Sequence, residues 1–228
     1  MAKRIVDHQT RQEIAIRIAD TAIEMADSAG SEGLTMRALA SKVGMGTMTL
    51  YGFYSDKDAL LDAMMDRVLG TATFPVSKGI ELEDYVVELG RTYLRIFREH
   101  PSVLEVITSR STRTLAAMEN SIEKPLRQLA DYGLDGATAV DVFTWIMTTA
   151  IGAAGYQRPR PWSLGDPNSD SDELLRRQTL FFQALPLTTF SASVEFSAHL
   201  ARSASEESFE RHLKIVGEWA RQQSPRGL

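Results

Sequence analysis

Apolar residues return every three or four positions along most of the chain. Nowhere do they alternate in twos between hairpin dipeptides, so the pattern predicts helices throughout and no strands. Thr10-Arg11-Gln12-Glu13 has the form of a capping box. Ile14, Ile18, Ala22, Met25 and Ala29 follow at helical spacing, and Gly30 is a stop, giving a helix over about 10–29. Three short helices are expected next. Thr35 caps Met36–Lys42, which Gly44 ends; a second runs from Gly46 or Thr47 to about Gly52; Ser55-Asp56-Lys57-Asp58 opens a third that reaches Gly70. Thr71–Gly79, with Pro75 and Gly79, reads as a link.

The remaining pattern predicts helices at about 83–99, 101–109, 112–132, 136–156, 172–184, 191–201 and 205–223. His100-Pro101 breaks the first pair, and Pro125 should kink or restart the 112–132 helix because proline removes a helical hydrogen bond. Pro159–Ser171, with Pro159, Pro161, Gly165 and Pro167, reads as a loop. The fold class expected is all-α. An N-terminal three-helix domain over residues 10–71 precedes a larger helical domain over 80–224.

Residues 35–54 carry the most specific signal. A helix of about eight residues, a glycine-bearing turn and a second helix of about seven have the dimensions of a helix-turn-helix. Ala40 lies where a large side chain would push the two helices apart. Val43 and Leu50 can anchor both to the first helix, and Gly44 can take the positive φ of the turn. A helix as short as the second is not stable alone. Its start, Thr47, Met48, Thr49 and Tyr51, is polar or softly apolar, with little reason to be buried together. Helix N-termini favour phosphate. Threonine hydroxyls reach base edges or phosphate, and the thymine methyl accepts contact from Met48 or a threonine methyl. Tyr51, Lys57 and Arg37 are placed to reach the backbone of a duplex. The bland alternative is a solvated helix face.

Composition narrows the chemistry. The 228 residues include no cysteine and four histidines, and no two histidines have metal-ligand spacing on one helix. Thiol nucleophiles and Cys-ligated metals are excluded, and no metal or other cofactor is expected. There is no HExxH or GxSxG, so no catalytic residues stand out and an all-helical enzyme is disfavoured. Net charge is −5, and even residues 1–70 hold 8 Lys/Arg against 10 Asp/Glu. Nucleic-acid binding must therefore rest on local charge. Leu34–Lys57 supplies it, with Arg37, Lys42 and Lys57 against Asp56 alone. No unbroken run of about 18 apolar residues and no signal-peptide h-region occur, so a soluble cytoplasmic protein without membrane contact is expected.

With these residues in view, 10–70 resembles the DNA-binding domain of the tetracycline-repressor (TetR) family of transcriptional regulators. The string Gly30…Gly33-Leu34-Thr35-Met36-Arg37-Ala38-Leu39-Ala40…Val43-Gly44…Thr49-Leu50-Tyr51-x-Phe53-Tyr54-x-Asp56-Lys57…Leu60-Leu61 holds without a gap. The resemblance implies that the helix at 46–52 reads DNA. It places DNA contacts on Met36, Arg37, Thr47, Met48, Thr49, Tyr51, Phe53 and Lys57. Three positions depart from the family pattern: Gly46 replaces a polar cap, Gly52 a larger residue, and Phe53-Tyr54 the frequent His-Phe.

The rest of the chain resembles, more weakly, the sensing domain of the subgroup nearest the tetracycline repressor. His100-Pro101, the Phe190–His199 segment and Ser208-Phe209-Glu210…Val216 carry that likeness. It implies a homodimer that leaves a palindromic, double-stranded DNA operator when a small-molecule effector binds. Gly152-Ala153-Ala154-Gly155 suits close helix approach. With Phe209, Leu213, Val216 and Ala220 on one stripe of the last helix, Gly152 and Gly155 suggest a four-helix dimer interface, the alternative being packing within one chain. Asp141, Thr144 and Thr148 share one side of the 136–156 helix, and a polar side can line a cavity. Trp145 and Phe181 could join that lining or simply be core; Arg110 and Arg113 could meet an anionic ligand or face water. A helical adaptor that binds only protein is the alternative function.

Overall fold

The structure is a computed structural model that describes residues 2–110, 114–156 and 171–224, with side chains from Thr10 onward. It is helical, with no strand among the described residues. In chain order the helices are α1 (Ala2–Ala29), α2 (Met36–Lys42), α3 (Thr47–Tyr51), α4 (Lys57–Val68), α5 (Leu82–Glu99), α6 (Pro101–Ser109), α7 (Leu115–Met118), α8 (Lys124–Asp131), α9 (Gly136–Tyr156), α10 (Ser171–Gln183), α11 (Leu187–Glu195), α12 (Ser197–Ala201) and α13 (Glu206–Gln223). A π-helical turn, Glu119–Glu123, joins α7 to α8. Arg113 and the loop expected from Pro159 lie outside the described residues.

Several boundaries differ from the sequence reading. α1 starts at Ala2, so Thr10 and Glu13 lie inside a helix instead of opening one. No glycine or proline interrupts 2–9, and nothing there stops the helix. α4 is capped by Asp56, whose carboxylate accepts from Ala59 N at 2.7 Å; Ser55 only donates to that carboxylate. The helix expected at 191–201 begins earlier, directly after Pro186, with non-helical φ/ψ at Phe190. The cap expected at Thr35 is present: its Oγ1 accepts from Ala38 N at 3.2 Å. Gly44 has φ +72°, which a side chain would strain. Thr35→Ala is expected to cost about 1 kcal/mol, read as a lower urea midpoint at constant slope.

Pro125 acts through the carbonyl it leaves free. Without its N–H, the α-helical partner of the Ser121 carbonyl is missing. The chain passes through the π turn just before it, and the freed Ser121 carbonyl accepts the hydroxyl of buried Tyr93. Burial pushes the Tyr93 phenol well above its ordinary pKa, so it stays a donor.

The first four helices form a head. Ile18 and Ala22 of α1, Leu34, Leu39 of α2, Leu50 of α3 and Leu60, Met64 and Met65 of α4 are all essentially inaccessible to water. The larger body is built on α5, which packs against α9 and α13. Tyr85, Leu89, Tyr93 and Phe97 of α5 meet Val142, Ile146 and Ala150 of α9 in the core. Two glycines set the approach of α5 and α13. Leu213 occupies the space a Cβ on Gly90 would fill, and a Cβ on Gly217 would lie 2.8 Å from Glu83 Cα. The pair Arg91–Glu210 (2.8 Å) and the pairs Arg98–Glu206 (2.6 Å) and Arg221–Glu83 (2.5 Å) line the outside of this seam.

By length and mean hydropathy α9 would pass as a membrane-spanning helix, although polar residues interrupt its apolar run. It packs on α5, α8 and α13 through Ala139, Val142, Ile146, Ala150 and Ala154, while its other side carries Asp141, Thr144 and Thr148 together with exposed Val140, Trp145 and Tyr156.

Head and body meet through caps supplied across the boundary. α6 has no side-chain cap of its own at His100. Asp27 of α1 supplies it: Oδ1 accepts from Ser102 N (2.9 Å) and Ser102 Oγ (2.6 Å), and His100 Nδ1 sits 2.9 Å from Oδ2. Asp66 of α4 accepts from Ala117 N in α7 at 2.9 Å. In return, Asn120 Nδ2 donates to the carbonyls of Leu69 and Ala72, each at 2.8 Å, where α4 ends. Asp27→Ala strands the first turn of α6. It is expected to cost about 2 kcal/mol, measured by chemical denaturation of the whole chain.

Candidate nucleic-acid interface

α3 has five residues, so its orientation comes from its supports. Leu50 is buried in the head core, Met45 N donates to Ala40 O at 3.0 Å across the turn, and Ala40 is buried in the same core. At the far end the Tyr54 hydroxyl donates to Ala15 O in α1 at 2.8 Å. These contacts fix one side of α3 and leave the other to solvent. Met48 is 84% exposed and Tyr51 43%, Thr49 is exposed, and Thr47 is half-buried. The N-cap is Gly46, and no side chain caps the leading amides. Arg37 is exposed at the start of α2.

Three of the sequence-assigned positions stand differently. Met36 is only 9% exposed and packs in the head core from the first turn of α2. It is corrected to a packing residue. Lys57 is half-buried, and its Nζ donates to Ser31 O at 2.8 Å, tying α4 to the α1–α2 loop. Phe53 is half-buried, with the Arg11 guanidinium 4.7 Å from its ring centroid. The sequence reading missed Arg11, which lies on α1, 41 residues before the Gly52 carbonyl it bonds.

The residues assigned to a ligand cavity are not brought together in one. Asp141, Thr144, Trp145 and Thr148 are exposed on the outward side of α9. The periodicity was right, but the polar stripe faces away from the core. Trp145 stacks edge-on against Trp219 of α13, with ring centroids 4.7 Å apart. Phe181 is 51% exposed on α10 and touches Phe182. Arg110 pairs with Asp58 at 3.0 Å and with Asp62, both on α4, so it binds head to body.

The assigned dimer residues divide. Phe209, Leu213 and Ala220 are buried inside the chain against α5 and α9, which corrects their assignment to a subunit interface. Val216 is half-buried. Gly152 is exposed and Gly155 half-buried, and a Cβ at either would meet nothing within 4 Å. With Trp145, Thr148, Tyr156, His212 and Ile215, they belong to an outward face shared by α9 and α13.

The geometry is therefore a short helix, braced on one side and presenting Thr47–Tyr51 on the other. Residues 18–64, which contain it, match the family described as bacterial regulatory proteins, tetR family. Over these residues the chain matches the tetR family. It is 35% identical over 142 residues to the HTH-type transcriptional repressor DrrR1 of Streptomyces coeruleorubidus, covering 62% of this chain and 52% of that protein. It is 28% identical over 159 residues to the HTH-type transcriptional repressor Rv1353c of Mycobacterium tuberculosis, covering 66% and 60%. The chain thus spans about half to three-fifths of these curated relatives. A crystal structure of ActR, a TetR family protein of Streptomyces coelicolor, in complex with actinorhodin superposes with a TM-score of 0.77 at 23% identity. That match covers 94% of this chain and 98% of ActR and shows a common fold.

Proposed function

We propose that this chain is a DNA-binding transcriptional regulator, a repressor that leaves a palindromic operator when a small molecule binds. It would act in the cytoplasm, without membrane contact. The head over residues 10–71 is read as the DNA-binding unit and 80–224 as the effector-binding and dimerisation unit. The observation that carries the reading is α3, where Leu50 is fully buried while Met48, Thr49 and Tyr51 face solvent. A helix that short gains nothing from exposing apolar and hydroxyl groups unless a partner meets them, and a duplex major groove admits an α-helix end-on with hydroxyl and methyl contacts. Thr47, Met48 and Thr49 are assigned to base edges, and Arg37 and Tyr51 to phosphates.

The homodimer is assigned to the outward face of α9 and α13, where Trp145, Gly152, Tyr156, Ile215 and Trp219 combine apolar side chains with glycine gaps. Pairing two copies there would hold two α3 helices at a fixed separation, which a palindrome with half-sites about 34–36 Å apart requires. An effector that prefers a different separation lowers operator affinity in proportion to that preference. The names of DrrR1 and Rv1353c as repressors support the sign of regulation, and the actinorhodin complex of ActR supports a small-molecule effector class.

Selection of bound fragments from random duplex DNA tests the reading. A two-fold symmetric motif is expected among recovered sequences, with binding that weakens steeply as salt rises. Recovery of no enriched duplex by a folded protein rejects it.

A further inference from the structure

The trailing end of α3 is held by α1 in a way that none of the assigned DNA contacts explains. Arg11 Nη donates to the carbonyl of Gly52, the residue that closes α3. Its guanidinium also lies over the Phe53 ring, 4.7 Å from the centroid. One turn further along α1, the Ala15 carbonyl accepts the Tyr54 hydroxyl at 2.8 Å. A single turn of α1 thus grips three consecutive residues, Gly52, Phe53 and Tyr54, from both sides of the hydrogen-bond ledger.

This grip matters because α3 is too short to hold its own direction. Its forward end has no side-chain cap, and its middle is anchored by Leu50 alone among its five residues. The last carbonyls of a helix are acceptors without partners and carry the negative end of the dipole, so a guanidinium there satisfies both demands. The flat face of Phe53 fixes the plane of that guanidinium, because cation and ring attract through the ring quadrupole.

We propose that Arg11 is a positioning residue for DNA reading: by clamping Gly52 and Phe53 it sets the angle at which Thr47, Met48 and Thr49 enter the groove. Phe53 is then the platform for Arg11. The inference rests on the DNA-binding reading, but the clamp itself exists without DNA and is measurable without it.

Two measurements on the full chain test it. In the free protein, hydrogen exchange of the amides of Leu50 and Gly52–Tyr54 is compared between the parent, Arg11→Ala and Arg11→Lys, with amides of α5 as an internal reference. Faster exchange in α3 and its exit, with α5 unchanged, is expected for both variants, because an ammonium cannot bond the carbonyl and lie flat on the ring together. Unchanged exchange overturns the clamp whether or not the protein binds DNA. On a duplex recovered by selection, affinity is then measured across a salt series. Arg11→Ala is expected to weaken binding about tenfold at every salt concentration, the loss of one charge-assisted contact, with the slope of log affinity against log salt unaltered. Arg11→Lys is expected not to rescue it. A slope reduced by about one marks Arg11 as a phosphate contact and overturns the positioning role. Full affinity in both variants overturns it equally.

Discussion

Replacing Thr49 and Tyr51 together by alanine is expected to weaken operator binding about thirtyfold or more while leaving the fold intact. Both side chains are on the solvent side of α3, and neither belongs to the apolar core that fixes it. Each contact to a base edge or phosphate contributes about 1–3 kcal/mol, so two lost together remove about 2–6 kcal/mol. Leu50, fully buried on the opposite side, still seats the helix. The check is fluorescence anisotropy on a selected duplex, with circular dichroism and size exclusion confirming an unaltered protein. Parent-like affinity in the double variant would mean that this side of α3 does not meet DNA.

The largest expected loss of stability lies at Leu213. Its side chain fills the notch that Gly90 leaves in α5 and has no accessible surface. Truncating it to alanine removes three heavy atoms from a contact between two helices that glycines have already brought close. The helices cannot approach further to close the gap, since Gly217 already brings α13 against the backbone at Glu83. A cost of about 2–5 kcal/mol follows, at the upper part of the range for sites that cannot collapse. Urea unfolding of Leu213→Ala measures it. Ile215, two residues on and 58% exposed, gives the contrast. Ile215→Asp is expected to leave the urea midpoint of a dilute sample nearly unchanged and to shift the proposed dimer toward monomer in sedimentation. A full-sized loss at Ile215 and none at Leu213 would invert the assignment of the two sides of α13.

The contrast shows what the sequence could convey. The head was legible because its signals are local: Thr35 caps the next turn, Gly44 takes a positive φ, and Leu39 and Leu50 mark the buried sides of two short helices. Met36 escaped because the family string places a contact there without saying which way the first turn of α2 faces. In the body, spacing correctly grouped Asp141, Thr144 and Thr148 on one side of α9 and Phe209, Leu213 and Ala220 on one side of α13. Periodicity finds a stripe but not its destination. A polar stripe on an apolar helix can face a cavity or a second subunit, and an apolar stripe can face the core or a partner. Arg110 was misread for a related reason, since its partners Asp58 and Asp62 are about fifty residues away. Arg11 was invisible because both groups it touches are generic, a main-chain carbonyl and a ring face.

The exchanged caps at the boundary bear on engineering. Regulators built from a reader and a sensor invite chimeras in which one reader is grafted onto another sensor. Here Asp27 and Asp66 close the first turns of α6 and α7, while Asn120 closes the last turn of α4. A graft joined anywhere in 71–80 would separate each orphaned helix end from its donor or acceptor. Transplants that carry matching residues at 27, 66, 102 and 120 are expected to express as folded protein, and those that ignore them to melt early, however well the recognition helix itself is preserved.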